Sequence, residues 1–201
     1  MDKNSYAVGM MIAQNMLSSG IRGLEFDDFV AGVKAILSGS EPAVPFKEAG
    51  QLLEKYFAEI EAEQKAEAEA LSAALREEGE TFLKMNAEKE GVVVLPSGLQ
   101  YKVITEGTGK KPSATDQVKC HYEGTLLNGQ KFDSSYDRNQ PAVFGLNQVI
   151  KGWTEGVQLM SEGSKYEFYI PYDLAYGEHG APGAIPPYAT LKFVVELIEV
   201  L

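Results

Sequence analysis

Only one cysteine, Cys120, occurs in the 201 residues, so no disulfide forms within the chain. A reducing compartment suits that count. Histidine is nearly as scarce: His121 and His179 are the only two, and with a single thiol beside them a zinc site lacks its usual ligands. Basic residues are outnumbered, 18 Lys and Arg against 29 Asp and Glu, for a net charge of −11. Such a surface does not neutralise a phosphate backbone, so nucleic acid is not an expected partner. No apolar run is long enough to span a bilayer, and the opening MDKNSYAVGM lacks the basic-then-apolar order of a signal peptide. A cytoplasmic location is therefore the expectation, although a processed chain in the periplasm or at the surface would look the same. Neither GxxxxGK followed by Ser or Thr nor GxGxxG occurs, which removes the two commonest phosphate-binding loops. No cofactor and no metal are expected.

What is present divides into two halves of different period. Tyr6, Met10, Ala13 and Leu17 recur at helical spacing before a stop at Gly20. A second helix carries Phe26, Phe29, Val30, Val33, Ile36 and Leu37 on one broad stripe and ends near Gly39. A third opens after Pro45, suitably placed for a first turn, and meets no proline before Pro96. Its early part has an apolar seam of Phe46, Ala49, Leu53, Tyr56 and Ile60, but EAEQKAEAEA at 61–70 has no large apolar residue. A helix polar all round bridges through solvent, so 45–91 reads as a stalk, about 60 Å long if helical over 46–88 at 1.5 Å per residue, with Gly50 and Gly79 as weak points. The wide stripes of residues 1–44 need covering, most simply by the same segment of a second chain.

From Gly91 onward the period is two. LQYKVI (99–104), VKCHYEGTL (118–126), SKYEFYI (164–170) and LKFVVELIEV (191–200) alternate apolar with polar, as strands covered on one face do. Asn128-Gly129 supplies a hairpin turn, and only one short helix, near 153–159, fits among the strands. The predicted class is α+β: an antiparallel sheet curled over that helix at 92–201, preceded by an all-α region.

Cys120 and His121 are adjacent strand residues and point to opposite faces, so they cannot act as nucleophile and base together. Cys120 shares its face with Val118 and Tyr122 and reads as a core thiol. Aromatic residues are plentiful instead, and the 17-residue connection DLAYGEHGAPGAIPPYA (173–189), stiffened by two tandem prolines, is long enough to suggest a function.

Three segments in series, HYEGTLLNGQKFDSSYDRNQP, QVIKGWTEGVQLMSEGSKYEFYIP and AYGEHGAPGAIPPYATLKFVVELIEV, resemble an FKBP-type peptidyl-prolyl isomerase domain over roughly residues 97–201. SYAVGMMIAQN with the helices after it resembles the dimerising half of the bacterial two-domain, Mip-like members. The resemblance implies an FKBP-like fold and a proline pocket floored by Trp153, the only tryptophan. Tyr122, Phe132, Phe144, Val149, Ile150, Ile185 and Phe193 would wall it, with the Ile150 N–H free for a ligand carbonyl. Asp133, held by Tyr122 or Arg138, would face the twisting amide, and Tyr176 would offer its hydroxyl. Asp133–Arg138 reads equally well as a loop-organising ion pair. Ala142, Ala181 and Ala184 stand where many members carry larger side chains, which implies a wider rim for rapamycin-like macrolides.

Such a pocket needs neither base nor nucleophile. Rotation about an X–Pro bond faces a barrier of about 18–20 kcal/mol from amide resonance, and the twisted transition state is the less dipolar species. An apolar cavity disfavours it less than the planar ground state. The expected function is isomerisation of Xaa-Pro bonds in peptides and partly folded proteins by a homodimer with chaperone activity. Two alternatives stay open on the sequence: a peptide- or ligand-binding module without turnover, and a scaffold whose role lies in the helices.

Overall fold

A computed structural model describes all 201 residues. They form two compact units, Met1–Ala68 and Glu69–Leu201. The first holds α1 (Lys3–Ser18), α2 (Phe26–Ser38) and the early turns of α3 (Phe46–Asn86). Asp2 caps α1 by accepting the Ser5 N–H at 2.7 Å, and Gly39 ends α2 in the left-handed region at φ 67°. Between them the backbone is tied to α3: the Tyr56 hydroxyl donates to the Arg22 carbonyl at 2.6 Å and accepts from the Arg22 N–H at 3.1 Å. No residue of α1 or α2 is buried. Met10, Met11, Phe26 and Leu37 are all exposed, and Met16, Leu24, Phe29, Leu53 and Phe57 line an open cleft of about 600 Å³.

The second unit is an antiparallel sheet around one core. Its strands are β1 (Val92–Val94), β2 (Gln100–Thr105), β3 (Gln117–Leu126), β4 (Lys131–Ser134), β5 (Ala142–Gly145), β6 (Lys165–Ile170) and β7 (Leu191–Val200). They run in the order β1-β2-β6-β7-β3-β4, with β5 also pairing β3, at Gln117–Cys120. A helix of two turns, α4 (Lys151–Val157), lies in the concave face. Its KGWTEGV sequence places Gly152 and Gly156 one turn apart against the sheet: a Cβ there would lie 2.5 Å from Ile170 Cγ2 and 2.6 Å from Phe168 Cε1. Only glycine permits that approach, and it lowers the helix so that Trp153 and Val157 reach the core with Leu99, Leu146, Met160 and Leu197.

The predicted α+β class and the four long strands are present, and the short β1, β4 and β5 join them. One expectation changes. The pattern predicts a stalk over 45–91, yet α3 ends at Asn86 and its last turns belong to the sheet unit, which begins at Glu69. A Cβ on Gly79 would sit 2.3 Å from Thr190 Oγ1, the Phe82 and Tyr169 rings lie 5.7 Å apart, and the buried Asn86 amide donates to Gln100 Oε1 at 2.9 Å. Gln100 in turn donates to the Leu83 carbonyl at 2.8 Å. Residues 79, 82, 83 and 86 are one helical stripe, and that stripe is docked.

Candidate active site

Turn residues 146–150 deliver the floor. Thr154 Oγ1 donates to the Leu146 carbonyl, and the Trp153 and Thr154 N–H groups close α4 onto the Ile150 carbonyl at 2.9 and 3.1 Å. Ile150 itself sits at the helix cap, and no protein acceptor takes its N–H. Trp153 is 4% exposed. Three rings stand nearly perpendicular to its indole: Tyr122 at 5.4 Å and 89°, Phe193 at 5.4 Å and 82°, Phe144 at 5.5 Å and 78°. Edge-to-face contacts of this kind are individually worth about 0.5–1.5 kcal/mol beyond burial. Together they leave the indole as the base of an aromatic box.

The walls come from four strands and the long loop. β3 pairs Gly124 with Phe193 of β7, and a Cβ at Gly124 would lie 2.6 Å from Phe132 and 2.7 Å from Phe193. Its absence lets those two rings meet edge to face at 5.5 Å. The cavity holds about 580 Å³ and opens past Tyr176, Ala181, Ala184 and Ile185. Phe144, Val149 and Ile150 complete its apolar lining. Gln148 also faces it; no sequence signal marked that polar loop residue.

Polar groups occupy one corner. Tyr122 donates its hydroxyl to Asp133 Oδ2, Arg138 donates to Asp133 Oδ1, and Arg138 Nη2 reaches the Tyr122 oxygen at 2.9 Å. Burial raises the pKa of Asp133, but the hydrogen bonds from Tyr122 and Arg138 and the guanidinium charge outweigh it, and the carboxyl ends below its ordinary value. Tyr122 is shifted upward by burial and by its bond to Asp133. Tyr176 is raised by burial and then by the Asp133 charge, and its hydroxyl has no protein partner. The corner therefore stays ionised as one carboxylate and one guanidinium, with a free phenol beside it.

Two expected positions differ. Arg138 does not line the cavity; it stands behind Asp133 and holds it, since its guanidinium is spent on Asp133 and Tyr122. Ala142 is not at the rim either: it lies in β5 opposite Cys120, packed against the core. Of the three alanines only Ala181 and Ala184 border the opening. Cys120 is fully buried with its thiol pushed up to about 12 by desolvation. His121 turns to the other face, stacked on Tyr136 at 4.7 Å with Nδ1 2.9 Å from Ser135 Oγ. No group of three His, Cys, Asp or Glu side chains converges anywhere.

This geometry sits in matched sequence. The profile of the FKBP-type peptidyl-prolyl cis-trans isomerase matches residues 108–198, and that of the domain amino terminal to FKBP-type peptidyl-prolyl isomerase matches residues 1–103. The chain belongs to the FKBP-type isomerase family. It is similar to the FKBP-type 22 kDa peptidyl-prolyl cis-trans isomerase of Escherichia coli, 44% identical over 98% of this chain and 94% of that protein. It is also similar to the FKBP-type isomerase FkpA of Aeromonas hydrophila, 46% identical over 99% of this chain and 76% of that one. Among solved structures it superposes on E. coli FkpA with a TM-score of 0.82 at 35% identity, covering 98% of this chain and 95% of that one. Both halves of this isomerase are thus those of two-domain bacterial members.

Proposed function

We propose that the protein accelerates rotation about Xaa-Pro bonds in peptides and partly folded proteins, using the Trp153-floored box. The observation that carries this reading is the box itself: four aromatic rings around an apolar space, with unpartnered N–H groups at Ile150 and on the Trp153 indole and one unpartnered hydroxyl at Tyr176. A prolyl ring on the indole leaves its preceding carbonyl among apolar walls. The planar amide, with its large dipole, is poorly solvated there, and the twisted one loses less. The Ile150 N–H fixes the peptide, and Asp133, kept anionic by Arg138, faces the amide as it turns. Exchange spectroscopy on a short Ala-Pro peptide tests it: wild type should broaden the cis and trans resonances at catalytic concentration, and unchanged exchange would refute it.

The helical unit is proposed to pair with a second copy and to hold unfolded chains. Support comes from its lack of any buried residue in α1 or α2 and from the apolar cleft at Phe29, Leu53 and Phe57. Replacing Phe29 and Val33 with Glu should give a monomer by light scattering that still turns over short peptides, while a dimeric variant would refute the pairing. Rapamycin-like macrolides are proposed as ligands of the same box, on its volume and apolar walls.

A further inference from the structure

Beyond the Ala181–Ile185 turn lies a second cavity of about 470 Å³, wholly within the sheet unit. Leu71 and Leu75 of α3 form one wall, Leu127 of the β3–β4 turn another, and Pro182, Pro186 and Pro187 a third. Prolines carry no N–H, so that wall offers little to a backbone and much to an apolar side chain. Ala184 and Ile185 face both this cavity and the aromatic box. The divider is therefore one tight turn, closed by Ala181 N–H to the Ile185 carbonyl at 2.8 Å and Ile185 N–H to the Ala181 carbonyl at 2.9 Å. Its two alanines keep it low.

We propose that this groove is a second subsite of the isomerase, taking a large apolar side chain of the same polypeptide whose proline occupies the box. The proposal rests on the reading of the box as the proline site. Continuity selects the occupant. A chain leaving the box over Ala184 meets the groove at once, and three extended residues cover about 10 Å, so the side chain belongs to a residue within a few positions of the proline. Glu78, the carboxylate in the lining, sets the charge preference: a lysine or arginine next to the anchoring side chain is favoured and an aspartate is disfavoured. The substrate class that follows is an extended, unfolded segment with a Leu-like residue near Xaa-Pro. Short peptides use the box alone. The turns of α3 just before its docked stripe then belong to substrate recognition, since Leu71, Leu75 and Glu78 build one wall of the groove.

The test compares kcat/KM for a blocked Ala-Pro tetrapeptide with that for decapeptides carrying Leu or Ser at two to five residues on either side of the proline, using the full-length protein. Wild type should prefer one Leu position by about tenfold over its Ser counterpart, the return for burying one such side chain. Leu71→Gln/Leu75→Gln should erase that preference while leaving the tetrapeptide rate unchanged, which also reports that the protein is folded. Glu78→Lys, a surface change, should shift preference from a Lys-bearing to an Asp-bearing decapeptide. Turnover of the tetrapeptide with no preference at any Leu position overturns the groove alone. So does a preference that survives in the double variant, or one that Glu78→Lys leaves unshifted. Failure to turn over either peptide overturns the isomerase reading and the groove with it.

Discussion

Alanine in place of Gly79 should destabilise the catalytic unit, against the ordinary rule for helices. In an exposed helix interior that change stabilises by about 0.8–1 kcal/mol, because glycine loses more backbone entropy on folding. Here the added Cβ would lie 2.3 Å from Thr190 Oγ1 and 3.1 Å from Thr190 Cβ. Thr190 is 4% exposed, so turning its hydroxyl aside only moves the clash, and the helix must lift by a few tenths of an ångström. Overpacking of this kind costs about 1–3 kcal/mol, leaving a net loss of about 1. Urea unfolding followed by Trp153 fluorescence reads it, because the only tryptophan lies in the same unit as Gly79. With a slope of about 1–3 kcal/mol per molar, the midpoint should fall by about 0.3–1 M. Adding Thr190→Ala removes the nearer contact, so Gly79→Ala should be at most neutral in that background. Gly50 is the internal control for the other unit: nothing lies within 4 Å of a Cβ there, and Gly50→Ala should stabilise. A rise in midpoint for Gly79→Ala, or an equal effect in both backgrounds, would refute the docking of α3.

Other consequences are open to the same kind of check. Tyr176→Phe loses one hydrogen bond of about 0.5–1.5 kcal/mol and should lower kcat/KM by no more than about tenfold, whereas Trp153→Ala removes the floor, costs about 3–5 kcal/mol of stability and should lower activity far more; equal activities in folded variants would contradict the assignment. The pH profile follows from Asp133, whose folded pKa lies below its unfolded value near 3.9. Its contribution is complete above that unfolded value and is lost as pH falls through the folded one. Activity on a short peptide should therefore be flat from pH 7 to pH 5; a midpoint within that range would oppose an ionised Asp133, and Arg138→Ala should move the acid limb upward. At the rim, replacing Ala184 with Ile should tighten rapamycin, by about 25 cal/mol for each Å² newly covered, measured as a shift in Trp153 emission; weaker binding would mean that the side chain closes the opening.

Much of this arrangement is legible in the residues. Period two along β3 and over Leu191–Leu197 of β7 needs no further context, and the cap at Gly39 and the turn at Gly129 follow from glycine's access to positive φ. β4 and β5 are four residues each, too short to show a period, and exist because β3 offers edges for pairing. The docked stripe of α3 was hidden for a different reason: two of its four contacts, Gly79 and Asn86, are not apolar, so a search for hydrophobic spacing passes over them. Arg138 shows the limit for the site. Sequence places a cation near Asp133, but whether it faces the ligand or the carboxylate depends on where the Tyr122 hydroxyl lies.

The sole thiol gives the protein a clock. Cys120 lies mid-strand in β3, fully buried, with its acidity suppressed to about 12, and only the thiolate is reactive. A thiol reagent therefore has no target until β3 is uncovered from β5 and β7, its neighbours on either side at that position. The labelling rate of unmodified protein then reports the opening of the sheet centre, becoming the opening rate itself when the reagent outpaces reclosing, and ligands that seat in the box should slow it as they fill the site. By the same property, a single cysteine introduced on the surface of either unit carries a dye or spin label alone.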